Sequence, residues 1–136
     1  MIHSTKIGVI VRDTLQDWQK LNVTAFLSSG VAYANPDCRG DVYKDASGQA
    51  YHSLFLQPVF VYIASTEHLQ RTLARAISRD ITVAVYDAGM FATDNDTDNR
   101  LIVASKQPEE LDLAGIAFRA ESKTFDKIIN GLKFHP

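Results

Sequence analysis

Three short segments are apolar at nearly every position rather than at alternate ones: Lys6-Ile7-Gly8-Val9-Ile10-Val11-Arg12, Val59-Phe60-Val61-Tyr62-Ile63-Ala64 and Ile81-Thr82-Val83-Ala84-Val85-Tyr86. Runs of this kind, rich in β-branched residues, read as strands buried on both faces. Between them the apolar spacing changes to that of helices. A first helix is expected from about Asp17 to Tyr33, with Thr14 or Asp17 as its N-cap, and Asn35-Pro36 ends it because a residue before proline is pushed out of the α region. Trp18, Leu21, Ala25 and Ala32 form its main stripe, and Val23, Phe26, Leu27 and Val31 broaden it. A helix so apolar is expected to be covered on more than one side. A second helix, from about Thr66 to Arg79, carries Leu69, Leu73, Ala76 and Ile77 on one face. Strands alternating with helices predict an α/β fold built on a mostly parallel sheet covered on both sides.

The remaining segments fit that scheme. Asp41 to Tyr51 reads as a hairpin turning at Asp45-Ala46-Ser47-Gly48, Leu113 to Phe118 as a fourth strand, and Thr124 to Asn130 as a last helix stopped by Gly131. Leu101 to Ala104 reads equally as helix or strand. At 136 residues the chain has room for a single domain, 1–136. Its 46% apolar and 22% charged composition disfavours disorder and coiled coil. A net charge of −2 argues against a dedicated polyanion binder, though not against a local basic patch. The one cysteine, Cys38, has no internal partner for a disulfide, and a reducing, cytoplasmic setting is expected. No apolar run approaches the ~20 residues of a membrane helix, and Met1 to Asp13 lacks the apolar core of a cleaved leader.

In sheets with parallel strands, ligands bind beyond the strands' carboxyl ends. The polar residues placed there are Arg12 and Asp13 after the first strand, Lys20 and Asn22 at the start of the first helix, and Asp87 after the third strand. Lys20, beside the positive end of a helix, is suited to holding an anion or a developing oxyanion, or else snorkels to solvent. Asp87, followed by Ala88-Gly89, either orients water and accepts a proton or caps its own turn. Other motifs are weaker. Asp94-Asn95-Asp96-Thr97-Asp98-Asn99 imitates a calcium loop but has Asn99 at the glycine position and Ser105 at that of the bidentate glutamate, so an acidic helix start is expected instead. His3, His52, His68 and His135 have no metal-ligand spacing, and no glycine-rich phosphate loop occurs, so neither metal nor cofactor is expected. Arg71, Arg75 and Arg79, like Lys123 and Lys127, recur every fourth residue, as on a solvated helix face.

The order of landmarks Ile7 to Arg12-Asp13-x-Leu15, Lys20-Leu21-x-Val23, Tyr86-Asp87-Ala88-Gly89, Asp126-Lys127-Ile128 and Leu132 resembles that of the type II peptidyl-tRNA hydrolases. More closely, Leu21-Asn22-Val23-x-Ala25-Phe26-Leu27, Gln57-Pro58, Asp126-Lys127-Ile128 and Gly131-Leu132 resemble an uncharacterised bacterial group, the "domain of unknown function two thousand" family. The resemblance implies a three-layer α/β/α arrangement around a small mixed, mostly parallel sheet, and a homodimer. It places the hydrolases' helix lysine on Lys20 and the aspartate of their Asp-Ala-Gly turn on Asp87. Their glutamine, histidine and threonine fall on Thr24, Leu27 and Phe91, with Thr93 a shifted substitute, so the proton-transferring set is incomplete.

Two readings follow. In one, a cytoplasmic domain binds a small molecule and hydrolyses an ester or amide; Lys20 and Asp87 are catalytic, and Arg12, Asp13, Asn22 and Thr93 hold the substrate. In the other, the domain is a non-catalytic module that binds RNA weakly or contacts proteins. The first requires the charged groups of Lys20 and Asp87 to lie within about 8 Å in one cleft, close enough to couple through a bridging water.

Overall fold

A computed structural model describes residues 3–136. Met1 and Ile2, which open the stretch compared above with a leader, lie outside the described residues. The elements run β1 (Thr5–Arg12), α1 (Asp17–Ala34), β2 (Tyr43–Lys44), β3 (Ala50–Tyr51), β4 (Val59–Ala64), α2 (Thr66–Ser78), β5 (Ala84–Asp87), α3 (Asp96–Ala104), β6 (Leu113–Glu121), α4 (Ser122–Ile128) and β7 (Lys133–Phe134), with short 3-10 turns at Pro36–Cys38, Ala88–Ala92 and Pro108–Glu110. Five strands form one mixed sheet in the order β5-β6-β1-β4-β7, and β2 and β3 form the expected hairpin. Among the described residues no helix is long and apolar enough to cross a membrane.

The sheet is not mostly parallel. Only β1 and β4 pair in parallel; β6 runs antiparallel to both β1 and β5, and β7 antiparallel to β4. An apolar run reports burial on both faces and carries no direction, so β6 reads the same either way up. Asp80, with φ of 56°, ends α2 and turns Ile81 back so that its amide donates to the Ala76 carbonyl. That bond takes Ile81 out of the expected strand, and β5 starts only at Ala84.

The two faces of the sheet carry separate cores. On one, Val23, Leu27 and Val31 of α1 pack on Ile7, Val9, Val11, Tyr86 and Ala117. On the other, Leu69, Leu73 and Ala76 of α2 and Phe125 and Ile128 of α4 pack on Ile10, Tyr62, Ile116 and Phe118. Alternate residues of β1 and β6 thus serve opposite faces, as strand geometry requires. The sheet-facing stripe of α1 is therefore Val23-Leu27-Val31, and the expected stripe of Trp18, Leu21, Ala25 and Ala32 is exposed. Neither Thr14 nor Asp17 caps this helix. Gln16 is its N-cap, and its backbone amide donates to Oε1 of Gln19 at 3.0 Å.

Candidate functional site

Beyond the carboxyl end of β5, a cleft of about 350 Å3 opens between the first half of α1 and the segment from β5 to α3. Helical spacing places Trp18, Asn22 and Phe26 on one stripe of α1, next to the stripe that grips the sheet. Tyr86 and Phe91 supply the facing wall, and Thr93, Asp94, Asn95, Asp96 and Asn99 the polar rim. The rings form a chain of steep contacts. Trp18 meets Phe91 at 5.9 Å and 72°, Phe91 meets Tyr86 at 5.0 Å and 48°, and Tyr86 meets Phe26 at 5.8 Å and 66°. Edge-to-face contacts at these distances are favourable packing, so the four rings support one another along the side of the cleft.

The polar groups of the cleft are held locally. The Trp18 indole N–H donates to Oε1 of Gln16 at 2.8 Å, which fixes the ring. Burial pushes the Tyr86 phenol up, partly offset by its hydrogen bond with the Asn22 side chain. The Thr93 hydroxyl sits between the Met90 carbonyl, at 3.0 Å, and the Asn99 side-chain amide. Asn95 caps α3 by accepting from the Asp98 amide at 2.8 Å, and Asp96 pairs with Arg100 at 2.6 Å. The acidic run is thus the start of a helix, as expected from its failed calcium-loop spacing.

Of the residues singled out from sequence, Asn22 and Thr93 meet in this cleft, whereas Lys20, Asp87, Arg12 and Asp13 are not among its lining residues. Lys20 and Asp87, expected as a pair, each hydrogen-bond to other groups. Asp87 is fully buried; Oδ1 accepts from the Gly89 amide at 2.8 Å, and Oδ2 accepts from Lys106 Nζ at 2.8 Å and the Asp112 amide at 2.9 Å. Burial alone would raise its pKa, but Lys106 and the two amides outweigh that and leave it below the ordinary carboxylate value. The group is an ionised anchor for the turns around it. Lys20 Nζ lies 3.3 Å from Nε2 of His135, whose Nδ1 is 3.0 Å from the Pro136 carbonyl. With the proton on Nδ1 given to that carbonyl, Nε2 is free to accept from the lysine. Arg12 donates to Asp112 at 2.7 Å and to the Leu113 carbonyl at 3.3 Å, and the backbone amide of the exposed Asp13 donates to the Ala64 carbonyl at 2.9 Å.

Trp18, Phe26, Tyr86, Phe91 and Asn99 were not expected from sequence as site residues. The available signal was Trp18-Asn22-Phe26, a four-residue repeat parallel to Val23-Leu27-Val31. A second depression, of about 760 Å3, lies beside the outer face of α1 and is lined by Ala25, Tyr33, Cys38, Tyr43 and Leu54 among others. The buried Cys38 thiol donates to Oε1 of Gln57 at 3.8 Å, and desolvation raises its pKa, so it rests as a thiol and not as a nucleophilic thiolate.

Fold and cleft together define an α/β domain with a mixed five-stranded sheet, helices on both faces and one aromatic-walled cavity at a strand end. The chain belongs to the family described as "Protein of unknown function (DUF2000)", whose model matches residues 5–136. It is similar to the solved structure of a protein of unknown function from Agrobacterium tumefaciens strain C58, with 41% identity and a TM-score of 0.97 over 99% of this chain and 100% of that one. No curated protein matches the chain.

Proposed function

We infer that this domain binds a small molecule in the cleft between α1 and the β5–α3 segment. One observation carries the reading. Four aromatic side chains from three separate elements line an open cleft of about 350 Å3, within the size range of ligand sites. Asn22, Thr93 and Asn99 supply the few convergent polar groups that orient a ligand in such a site. Helices on both faces of the sheet support kinship with the type II peptidyl-tRNA hydrolases. Hydrolysis through Lys20 and Asp87 is less well supported, because the Asp87 carboxylate is fully buried and accepts three hydrogen bonds from Gly89, Lys106 and Asp112.

Trp18 is the only tryptophan and lines the cleft, so its emission reports occupancy directly. A panel of cationic, anionic and neutral metabolites should contain at least one that changes Trp18 emission and raises the melting temperature. A ligand at a hundred times its Kd adds about 2.7 kcal/mol. The same ligand should lose most of its effect on the Asn22→Ala protein. If nothing in a broad panel moves either signal, the cleft is not a binding site.

A further inference from the structure

We propose that the cleft selects a quaternary or methylated ammonium group; this rests on the binding reading above and adds the chemical class of the ligand. The walls come first. Trp18, Phe91, Tyr86 and Phe26 present ring surfaces turned 48–72° from one neighbour to the next. An alkylated ammonium has no N–H to satisfy and a large, weakly hydrated surface. It is stabilised by the negative faces of several rings at once, an attraction that grows when the cation is desolvated. A primary amine or an alcohol would need several acceptors at the ring walls, and among the four rings only the Tyr86 phenol, already bonded to Asn22, is one. At the polar side, the rest of such a ligand would meet Asn22 and Asn95, with Thr93 held by Met90 and Asn99.

The charge around the cleft has the matching sign. Asp94 and Asp96 stand at its rim, and its lining residues include no lysine, arginine or histidine. Arg100 pairs with Asp96 at 2.6 Å and offsets its charge, which leaves Asp94, without an ion pair among the described residues, as the carboxylate that sets the sign. Asp94 is exposed, and its Oδ1 accepts from the Asn95 side chain at 2.9 Å. An anionic ligand would look for the amino end of α3, but Asn95 already caps it and Asp96 and Asp98 occupy its first turn. A neutral apolar ligand would fill the walls while gaining nothing from the rim.

The test compares choline chloride with 3,3-dimethylbutan-1-ol, which has the same shape and no charge, at constant ionic strength. The indole N–H resonance of Trp18 and its emission are the readouts on the full chain. Choline is expected to bind at least about tenfold more tightly than the alcohol, the ratio that a desolvated cation–π contact supplies. Asp94→Asn, an exposed change that leaves the core untouched, should weaken choline severalfold and leave the alcohol unchanged. Phe91→Leu should erase the preference. Equal binding of the two probes at the indole overturns the ammonium assignment while leaving the cleft as a binding site. Failure of choline to perturb Trp18 at all overturns the assignment as well. A metabolite from the broader panel that still binds would keep the cleft reading alive in that case.

Discussion

The two sides of the sheet use the same materials differently. On the α2–α4 side the aromatic rings pack at 17–49°, from Tyr62 on Phe134 at 17° and Phe118 on Phe125 at 34° to Tyr62 on Phe125 at 45° and Phe60 on Phe134 at 49°, with Phe118 and Phe125 shut away from solvent. Its helix α2 is finished toward water, with Leu69, Leu73 and Ala76 inward and Arg71 and Arg79 outward. On the α1 side the rings stand at 48–72° around a void, and the outer face of α1 still carries Leu21, Phe26 and Tyr33. The α2–α4 side leaves Ile77 and Phe134 half-exposed at its margins, whereas the α1 side carries its exposed rings around the cleft at the strand end. Both faces carry a buried core, and the cleft proposed above as a binding site lies at the edge of the α1 side.

The seam below the cleft is where that arrangement is easiest to break. Asp87 follows the cleft residue Tyr86 and anchors Lys106 and the amides of Gly89 and Asp112. Asp87→Ala leaves a part-buried ammonium and two amides without their acceptor and should cost about 3 kcal/mol or more. The folded-state pKa of Asp87 is depressed below the ordinary 3.8. Its contribution is therefore fully present above the unfolded value and is lost as pH falls through the folded one. Urea unfolding from pH 7 down to acid should show a constant gap between wild type and variant at neutral pH that narrows below about 3.8. A gap independent of pH would mean that the charge of this carboxylate does not hold the seam.

Glycines on the two faces sharpen the comparison. A Cβ at Gly115 would meet the Ile10 carbonyl oxygen and Val23 Cγ1, both at 2.8 Å, on the α1 side. A Cβ at Gly8 would meet Phe125 Cζ at 2.5 Å on the other side. A ladder carbonyl cannot yield without bending β1, whereas a ring end can tilt, even in a full core. Gly115→Ala is expected to cost about 3 kcal/mol and Gly8→Ala about 2 kcal/mol by equilibrium unfolding. The reverse order would show that the α1 side has the more yielding core.

How far the sequence carries this picture depends on which interaction decided each element. Strands β1 and β4 and helix α2 were legible because burial alone fixes their pattern. The direction of β6 was not, because burial does not distinguish up from down. Strand β7 is two residues long, too short for any period, and is held by pairing with β4 and by Phe134 stacking on Tyr62 at 4.9 Å. Asn22 was found as a polar group at the helix start beyond the first strand, and Thr93 only through the resemblance, as a shifted substitute for the hydrolases' threonine. Trp18 was read as core, because two four-residue stripes on α1 look alike until the sheet chooses between them. Asp87 was placed correctly at the end of a buried strand, but its partner Lys106 arrives through α3, 19 residues later, and local sequence carries no sign of it.

The smallest expected effect tests whether the outer face of α1 is surface at all. Leu21 is 72% exposed and Tyr33 87% exposed, so neither has much burial to lose. Replacing both, Leu21→Gln with Tyr33→Ser, should change the unfolding free energy by no more than about 0.5 kcal/mol each, and identically at every protein concentration. The cleft lies on the neighbouring stripe of the helix, so ligand-induced changes in Trp18 emission should survive the double change. A larger loss that disappears at low protein concentration would mean that a second copy of the chain covers this face in solution. The apolar reserve of the α1 side would then serve two purposes, one at the strand end and one along the helix, and only substitutions at Trp18, Phe26 and Phe91 would report on the first alone.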